Sequence, residues 1–285
     1  MIRGLYILIL GGLLMTLFGS CKKSSTDSNG PNLPVLPGWE LIWNDEFDEP
    51  EIDPQKWEHE VNNSGGGNNE LQYYTDRPVN SRIEDGILVL EAHREYYGSG
   101  NDQRDYTSAR LRTLNRGDWL HGRFDIRAKL PQGQGMWPAI WMLPTDWVYG
   151  GWPSSGEIDI MEAVNLGAGN NRIYGTIHYE NENGQHSHHG GNASSPTNFW
   201  DEFHTFSLEW ESYELRWYLD DVLYYTTNNW SCPDAPYPAP FDRHFHLLLN
   251  VAVGGTWPGD PNHLTPFPQR MEVEYVRVWS KITDE

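Results

Sequence analysis

RFDIRAKL, residues 123–130, puts Phe124, Ile126, Ala128 and Leu130 on one parity and Arg123, Asp125, Arg127 and Lys129 on the other. Side chains two apart share a face of a β-strand, so this stretch reads as a strand with one buried and one solvated face. The same period recurs outward from it. In TFSLEW (205–210), Phe206, Leu208 and Trp210 alternate with Ser207 and Glu209. LRWYLDDVLYYTT (215–227) reads as a hairpin turning at Asp220 and Asp221. HFHLLLNVAV (244–253) and MEVEYVRVW (271–279) are two further strands. Clusters of Gly and Pro separate the runs, as in SGGGNN (64–69), PQGQG (131–135) and YGGWPSSG (149–156). With no long helical period after the first twenty residues and no fixed repeat, the pattern predicts an all-β sandwich or barrel.

The ends read differently. An apolar run from Leu5 to Phe18 follows the single cation Arg3. It is short for a membrane span and suits the core of an export signal. Gly19 and Ser20 then precede Cys21, which looks like a bacterial lipoprotein signal in which Cys21 becomes the lipidated N-terminus. An ordinary secretory signal cut nearby is the alternative. Residues 21–37 are polar and rich in Ser, Asn, Pro and Gly, the composition of a flexible tether. Residues 38–285 then form one domain, expected to be monomeric, exported, and held at the cell envelope or released.

The chain has two cysteines among 285 residues, so a lipidated Cys21 leaves Cys232 without a partner. No disulfide framework is available, and stability must come from a large core. The formal net charge of -20 repels nucleic acid and anionic membrane, and argues against a highly sulfated polyanion as substrate. The 14 Trp and 15 Tyr are expected mostly in the core, with the remainder offering flat faces for sugar rings.

EIDIME (157–162) carries three acids. Glu157 and Asp159 share a strand face, with Ile158 and Ile160 on the other. Strict alternation would send Glu162 into the core, at a cost of several kcal/mol. A β-bulge at Ile160 or Met161 returns it to the acidic face. Glu157 and Glu162 are then ~13 Å apart along the strand and can lean together on a concave sheet. Two carboxylates at ~5 Å suit a retaining glycosidase, one as nucleophile and the other as acid and then base. Their repulsion, about 3 kcal/mol at an effective dielectric near 20, separates their pKa values by roughly two units. A calcium site and a solvated acidic strand are the competing readings, and the spacing does not say which Glu is the nucleophile.

The surrounding motifs add a resemblance. EIDIME resembles the active-site signature of glycoside hydrolase family 16, in the bulged form of laminarinase-like β-1,3-glucanases. GWELIWNDEF (38–47), GNNELQYYT (67–75), YTSARLRT (106–113), GQGMWPAIWMLP (133–144), YGTIHY (174–179), LNVAVGGTWPG (249–259) and FPQRMEVEYVRVW (267–279) look like the same subgroup, in order. The resemblance implies a β-jelly-roll sandwich with a concave substrate cleft, and retaining hydrolysis of β-glucan without a catalytic cofactor. It makes Glu157 the nucleophile, Asp159 its helper and Glu162 the acid/base. It makes Trp137 and Trp141 sugar platforms and places His178 on the leaving-group side. Asn69, Arg110 and Trp257 would line the non-reducing side. A structural calcium would use Glu46, the backbone of Gly86 and Glu274, where Glu stands at a place often held by Asp.

Neighbouring specificities stay open: mixed-linkage β-1,3-1,4-glucan, galactans such as agarose, transglycosylation, or a non-catalytic β-glucan-binding module. Lichenase-type relatives usually lack the inserted residue, and binding modules lack the acids. His186, His188 and His189 in HYENENGQHSHHGG fit no common closed zinc site, so the run reads as a loop at the cleft rim. Trp147 and Trp152 beside the glycines of VYGGW are rim platforms or packing residues.

Overall fold

The computed structural model describes Met1 and residues 33–283. The signal segment, Cys21 and most of the tether lie outside the described residues. The chain divides into units Met1–Pro34 and Val35–Glu285. Among the described residues no helix is long and apolar enough to cross a membrane.

The fold is all-β, as the alternation implied. In chain order the first nine strands are β1 (Trp39–Asp45), β2 (Glu58–His59), β3 (Gln72–Tyr74), β4 (Ser81–Glu84), β5 (Ile87–Tyr97), β6 (Arg104–Ser108), β7 (Arg110–Arg112), β8 (Asp118–Trp119) and β9 (Gly122–Lys129). The rest are β10 (Met136–Pro144), β11 (Glu157–Ala163), β12 (Ile173–Glu180), β13 (His186–Ala193), β14 (His204–Glu211), β15 (Glu214–Leu219), β16 (Val222–Thr227), β17 (Phe245–Val253) and β18 (Gln269–Lys281). They form two sheets of a jelly-roll sandwich. The larger runs β16-β15-β14-β9-β18-β5-β6-β3, with β1 on β18 and β4 on β5. The smaller runs β13-β12-β11-β10-β17-β7-β2, with β8 on β17.

Parity decides what each sheet buries. Phe124, Ile126 and Ala128 of β9 and Phe206, Leu208 and Trp210 of β14 are fully buried, on the faces that the sequence assigned to the core. They meet Ile158, Ile160 and Met161 of β11 and Leu247, Leu249 and Val251 of β17 in one continuous core. Each Phe, Ile, Leu, Val or Met among them contributes roughly 1.5–3 kcal/mol by leaving water. The β15–β16 hairpin turns at Asp220 and Asp221, whose φ values of 48° and 61° are those of a two-residue hairpin turn compatible with strand twist.

Two expectations need correction. The His186 run is not a loop: β13 pairs with β12 through eight successive partners, from Ile173↔Ala193 to Glu180↔His186. Fewer Trp and Tyr are buried than expected: among the described residues seven Trp and three Tyr are buried, while Trp147, Trp152 and Trp257 stay 38%, 50% and 42% exposed.

Candidate active site

β11 carries the bulge that its sequence demands. Against β10, Met161 faces Ile140 while Asp159 faces Trp141, so Ile160 is the extra residue. Against β12, Asp159 pairs with Thr176 and Glu162 with Tyr174, leaving Ile160 and Met161 together opposite Gly175. Both bulge residues are buried, and Glu157, Asp159 and Glu162 all reach the outer face of the smaller sheet. The Trp217 indole donates to the Asp159 carbonyl at 2.8 Å and ties the bulge to the larger sheet.

That outer face is the floor of a cleft of about 1020 Å³. β10 contributes Trp137 and Trp141, β12 contributes Tyr174, Thr176 and His178, and β17 contributes Asn250. Strand parity explains why β17 is buried along its whole length: Phe245, Leu247, Leu249, Val251 and Val253 face the core, while Asn250 and Ala252 face the cleft.

The outer two acids are held by different indoles. Trp152 Nε1 donates to Glu157 Oε2 at 2.9 Å, and Trp137 Nε1 donates to Glu162 Oε1 at 2.9 Å. Asp159 lies between them, 1% exposed, with His178 Nε2 at 3.2 Å from its Oδ2 and at 4.0 Å from Glu157 Oε1.

Burial raises all three carboxyls. Glu162 is pushed to about 8 by burial, with the Asp159 charge adding to it and the Trp137 N–H opposing. Asp159 is also pushed to about 8 by burial. Glu157 is raised by burial and then by the Asp159 charge. Glu157 and Asp159 therefore titrate as a pair, not as independent acids. The Asp159 side chain is 2% exposed against 17% for Glu157, which also accepts an indole N–H. Buried together, the two resist carrying two negative charges at once, so the pair shares one proton near neutral pH.

The remaining expected residues are placed as follows. Arg110 lies 8% exposed in the cleft wall, with its guanidinium over Tyr74 at 4.7 Å and over Trp141 at 5.2 Å. Trp141 Nε1 donates to Asn250 Oδ1 at 2.7 Å. Trp257 stands edge-on to Trp137 at 5.5 Å and to Tyr174 at 5.2 Å, completing an aromatic wall. Asn69 is exposed with φ 58°, and the cleft is lined instead by its neighbours Asn68 and Glu70. Glu70 accepts from Gln72 Nε2 at 2.6 Å and from the Tyr74 hydroxyl at 3.2 Å.

The residues expected to hold calcium are engaged with arginines. Arg277 makes a two-point contact with Glu46, at 2.9 and 2.7 Å. Arg127 Nε donates to Glu274 at 2.5 Å. The space beside Gly86 is open, with nothing within 4 Å of where a side chain would begin. An ion there would have to compete with both guanidinium groups.

Sequence reasoning left Trp152 undecided and did not single out Glu70, Tyr174, Thr176 or Asn250. Parity could have found two of these, since IYGTIHY alternates Tyr174, Thr176 and His178 with the buried Ile173, Ile177 and Tyr179. No comparable signal marks Glu70.

Comparison with known proteins agrees with this geometry. Residues 58–277 match the family model of glycosyl hydrolases family 16. A beta-glucanase of Rhodothermus marinus is 46% identical over 281 residues, 94% of this chain and 92% of that protein. A glucan endo-1,3-beta-glucosidase of Cryptopygus antarcticus is 42% identical over 254 residues, 85% of this chain and 92% of that protein. Among solved structures, the laminarinase from Rhodothermus marinus superposes with a TM-score of 0.77 at 45% identity, covering 87% of this chain and 100% of that one. With its bulged acidic strand, its cleft and a family match across most of its length, this chain belongs to glycosyl hydrolase family 16.

Proposed function

We propose that this chain is a retaining endo-β-1,3-glucanase that cleaves laminarin-type β-glucan by double displacement. The observation that carries this reading is the single bulged strand that presents Glu157 and Glu162 to one cleft, each held by its own indole. The named activities of the β-glucanase and endo-1,3-β-glucosidase relatives support the linkage.

In the first step Glu157 attacks the anomeric carbon. Glu162, kept protonated near neutral pH by burial, gives its proton to the leaving oxygen. Oε1 of Glu162 already accepts the Trp137 N–H, so Oε2 is the oxygen free to carry that proton. In the second step Glu162, now a carboxylate, takes a proton from water, which attacks the glycosyl–Glu157 ester. Asp159, buried beside Glu157 and sharing one proton with it, redistributes that proton as charge leaves Glu157. Trp137, Trp141 and Trp257 offer faces and edges for sugar rings, and Arg110 and Glu70 offer polar partners for hydroxyls.

The test is product analysis with laminarin, barley mixed-linkage glucan and agarose side by side. A ladder of short oligosaccharides from laminarin is expected. Cleavage of agarose without cleavage of laminarin would overturn the substrate.

Two further features belong to this reading. Cys21 carries a lipid that anchors the exported protein at the cell envelope, supported by the apolar run and the small residues before it. Metabolic labelling with a fatty acid, lost in Cys21→Ser, is expected. A structural calcium would sit by Glu46, Gly86 and Glu274, displacing Arg277 and Arg127, and would clamp β1 to β18.

A further inference from the structure

β12 and β13 bring three imidazoles together that are dispersed in sequence. His178 of β12 is the cross-strand partner of His188, and His186 lies two residues before His188 on the same strand face. Nδ1 of His178 lies 2.9 Å from Nε2 of His186. The rings of His178 and His186 stack at 5.1 Å, and that of His188 lies 5.7 Å from His178. One ring nitrogen from each falls within 4.8 Å of the other two. His189 is not part of the group, because it faces Tyr179 and Asn229.

We propose that His178, His186 and His188 form a binding site for a divalent transition metal of the zinc class, and that its occupancy inhibits hydrolysis. Zinc binds imidazole nitrogen at about 2.0–2.1 Å, so two ligands on one ion are about 2.9 Å apart at a right angle and about 3.4 Å apart at the tetrahedral angle. The His178–His186 separation is thus already a ligand edge. The third ligand needs about an ångström of rotation, which the exposed His186 and His188 are free to make. His178 turns its Nδ1 toward the other rings and its Nε2 to within 3.2 Å of Asp159 Oδ2, an ion-pair distance without hydrogen-bond alignment. Three imidazoles leave a fourth position open to water or a sugar hydroxyl.

Inhibition follows from position. The opposite nitrogen of the same ring, Nε2, lies 3.2 Å from Asp159 Oδ2 and 4.0 Å from Glu157 Oε1, so an ion on the Nδ1 side of His178 sits one imidazole away from the nucleophile. A dication there opposes the positive charge that develops on the sugar ring and blocks the cleft beside the nucleophile.

The test is calorimetric titration of the full chain with zinc chloride, with cobalt(II) absorption as a second readout of coordination. One saturable zinc per chain is expected, with a cobalt band of tetrahedral intensity and loss of hydrolysis over the same zinc range. His186→Ala and His188→Ala are each expected to weaken zinc at least tenfold. His186→Asn and His188→Asn serve if an alanine variant lowers the melting temperature. Absence of saturable binding would overturn the proposal. So would unchanged affinity in both variants, or affinity lost in Glu157→Gln and kept in the histidine variants.

Discussion

Trp217 of the larger sheet donates its indole N–H to the Asp159 carbonyl on the smaller sheet, across the interior of the sandwich. The approach is possible because Gly175, opposite the bulge, has no side chain. A Cβ there would lie 2.3 Å from Trp217 Cδ1 and 2.6 Å from the Tyr224 hydroxyl. The bulge that aligns the acids is thus supported from beneath by a tryptophan, and a glycine makes room for it.

Gly175→Ala is therefore expected to displace Trp217 and loosen the bulge. The cost is about 1–3 kcal/mol of stability through overpacking. The larger effect is on kcat, expected to fall about 100-fold because a misplacement near one ångström has that consequence. Chemical denaturation and laminarin kinetics measured together check this. A variant that loses stability but keeps its kcat would dissociate the bulge from catalysis.

The two indole donors should act on opposite limbs of the pH profile. Each N–H stabilises a carboxylate anion, so removing it raises that carboxyl's pKa. Trp152→Phe should move the acid limb of kcat/KM to higher pH by affecting Glu157. Trp137→Phe should move the alkaline limb to higher pH by affecting Glu162. A loss of about ten- to a hundredfold in kcat is expected in each, from a hydrogen bond to charge of about 1.5–3 kcal/mol. Identical shifts in both variants would contradict the separate roles.

Stability should fall as the medium becomes alkaline. Glu162 is raised from 4.5 to about 8 on folding, and Asp159 from 3.8 to about 8. Between those values the unfolded chain has released protons that the folded chain still holds. The contribution of each group is complete below its unfolded pKa and lost as pH rises through about 8. Glu162→Gln cannot ionise, so it should melt higher than the parent at pH 9 and show a smaller drop between pH 5 and pH 9. An equal drop in both proteins would remove Glu162 from the cause.

Calcium, if it binds by Glu46 and Glu274, must displace guanidinium groups already paired there. The expected outcome is a higher melting temperature in millimolar calcium than in EGTA, with kcat unchanged at a temperature where both forms stay folded. Equal melting temperatures would remove calcium from the fold.

The strand that holds the acids was legible because Ile158, Ile160 and the three carboxylates conflict under strict alternation, and only an inserted residue resolves the conflict. β9 and β14 were legible because their apolar and polar residues keep strict parity. β13 was not. HSHHGGNA holds no large apolar residue, and its burial alternates only between exposed and partly exposed. It is a strand because it pairs along the sheet edge, a long-range fact that no local hydrophobic period records. Trp152 escaped because it reaches Glu157 from the turn before β11, where spacing carries no information on side-chain direction. At Asn69 the motif located the loop, but the neighbouring Asn68 and Glu70 line the cleft instead.

The central claim is that Glu157 and Glu162 cleave β-1,3-glucan with retention, through a glycosyl–Glu157 intermediate. Proton NMR of laminarin in the first minutes of digestion, before mutarotation, tests it most directly. The account predicts that the new reducing ends appear first as the β-anomer, with the α-anomer growing in later. New ends that appear first as the α-anomer would mean a single inverting displacement and would contradict the roles assigned to both glutamates.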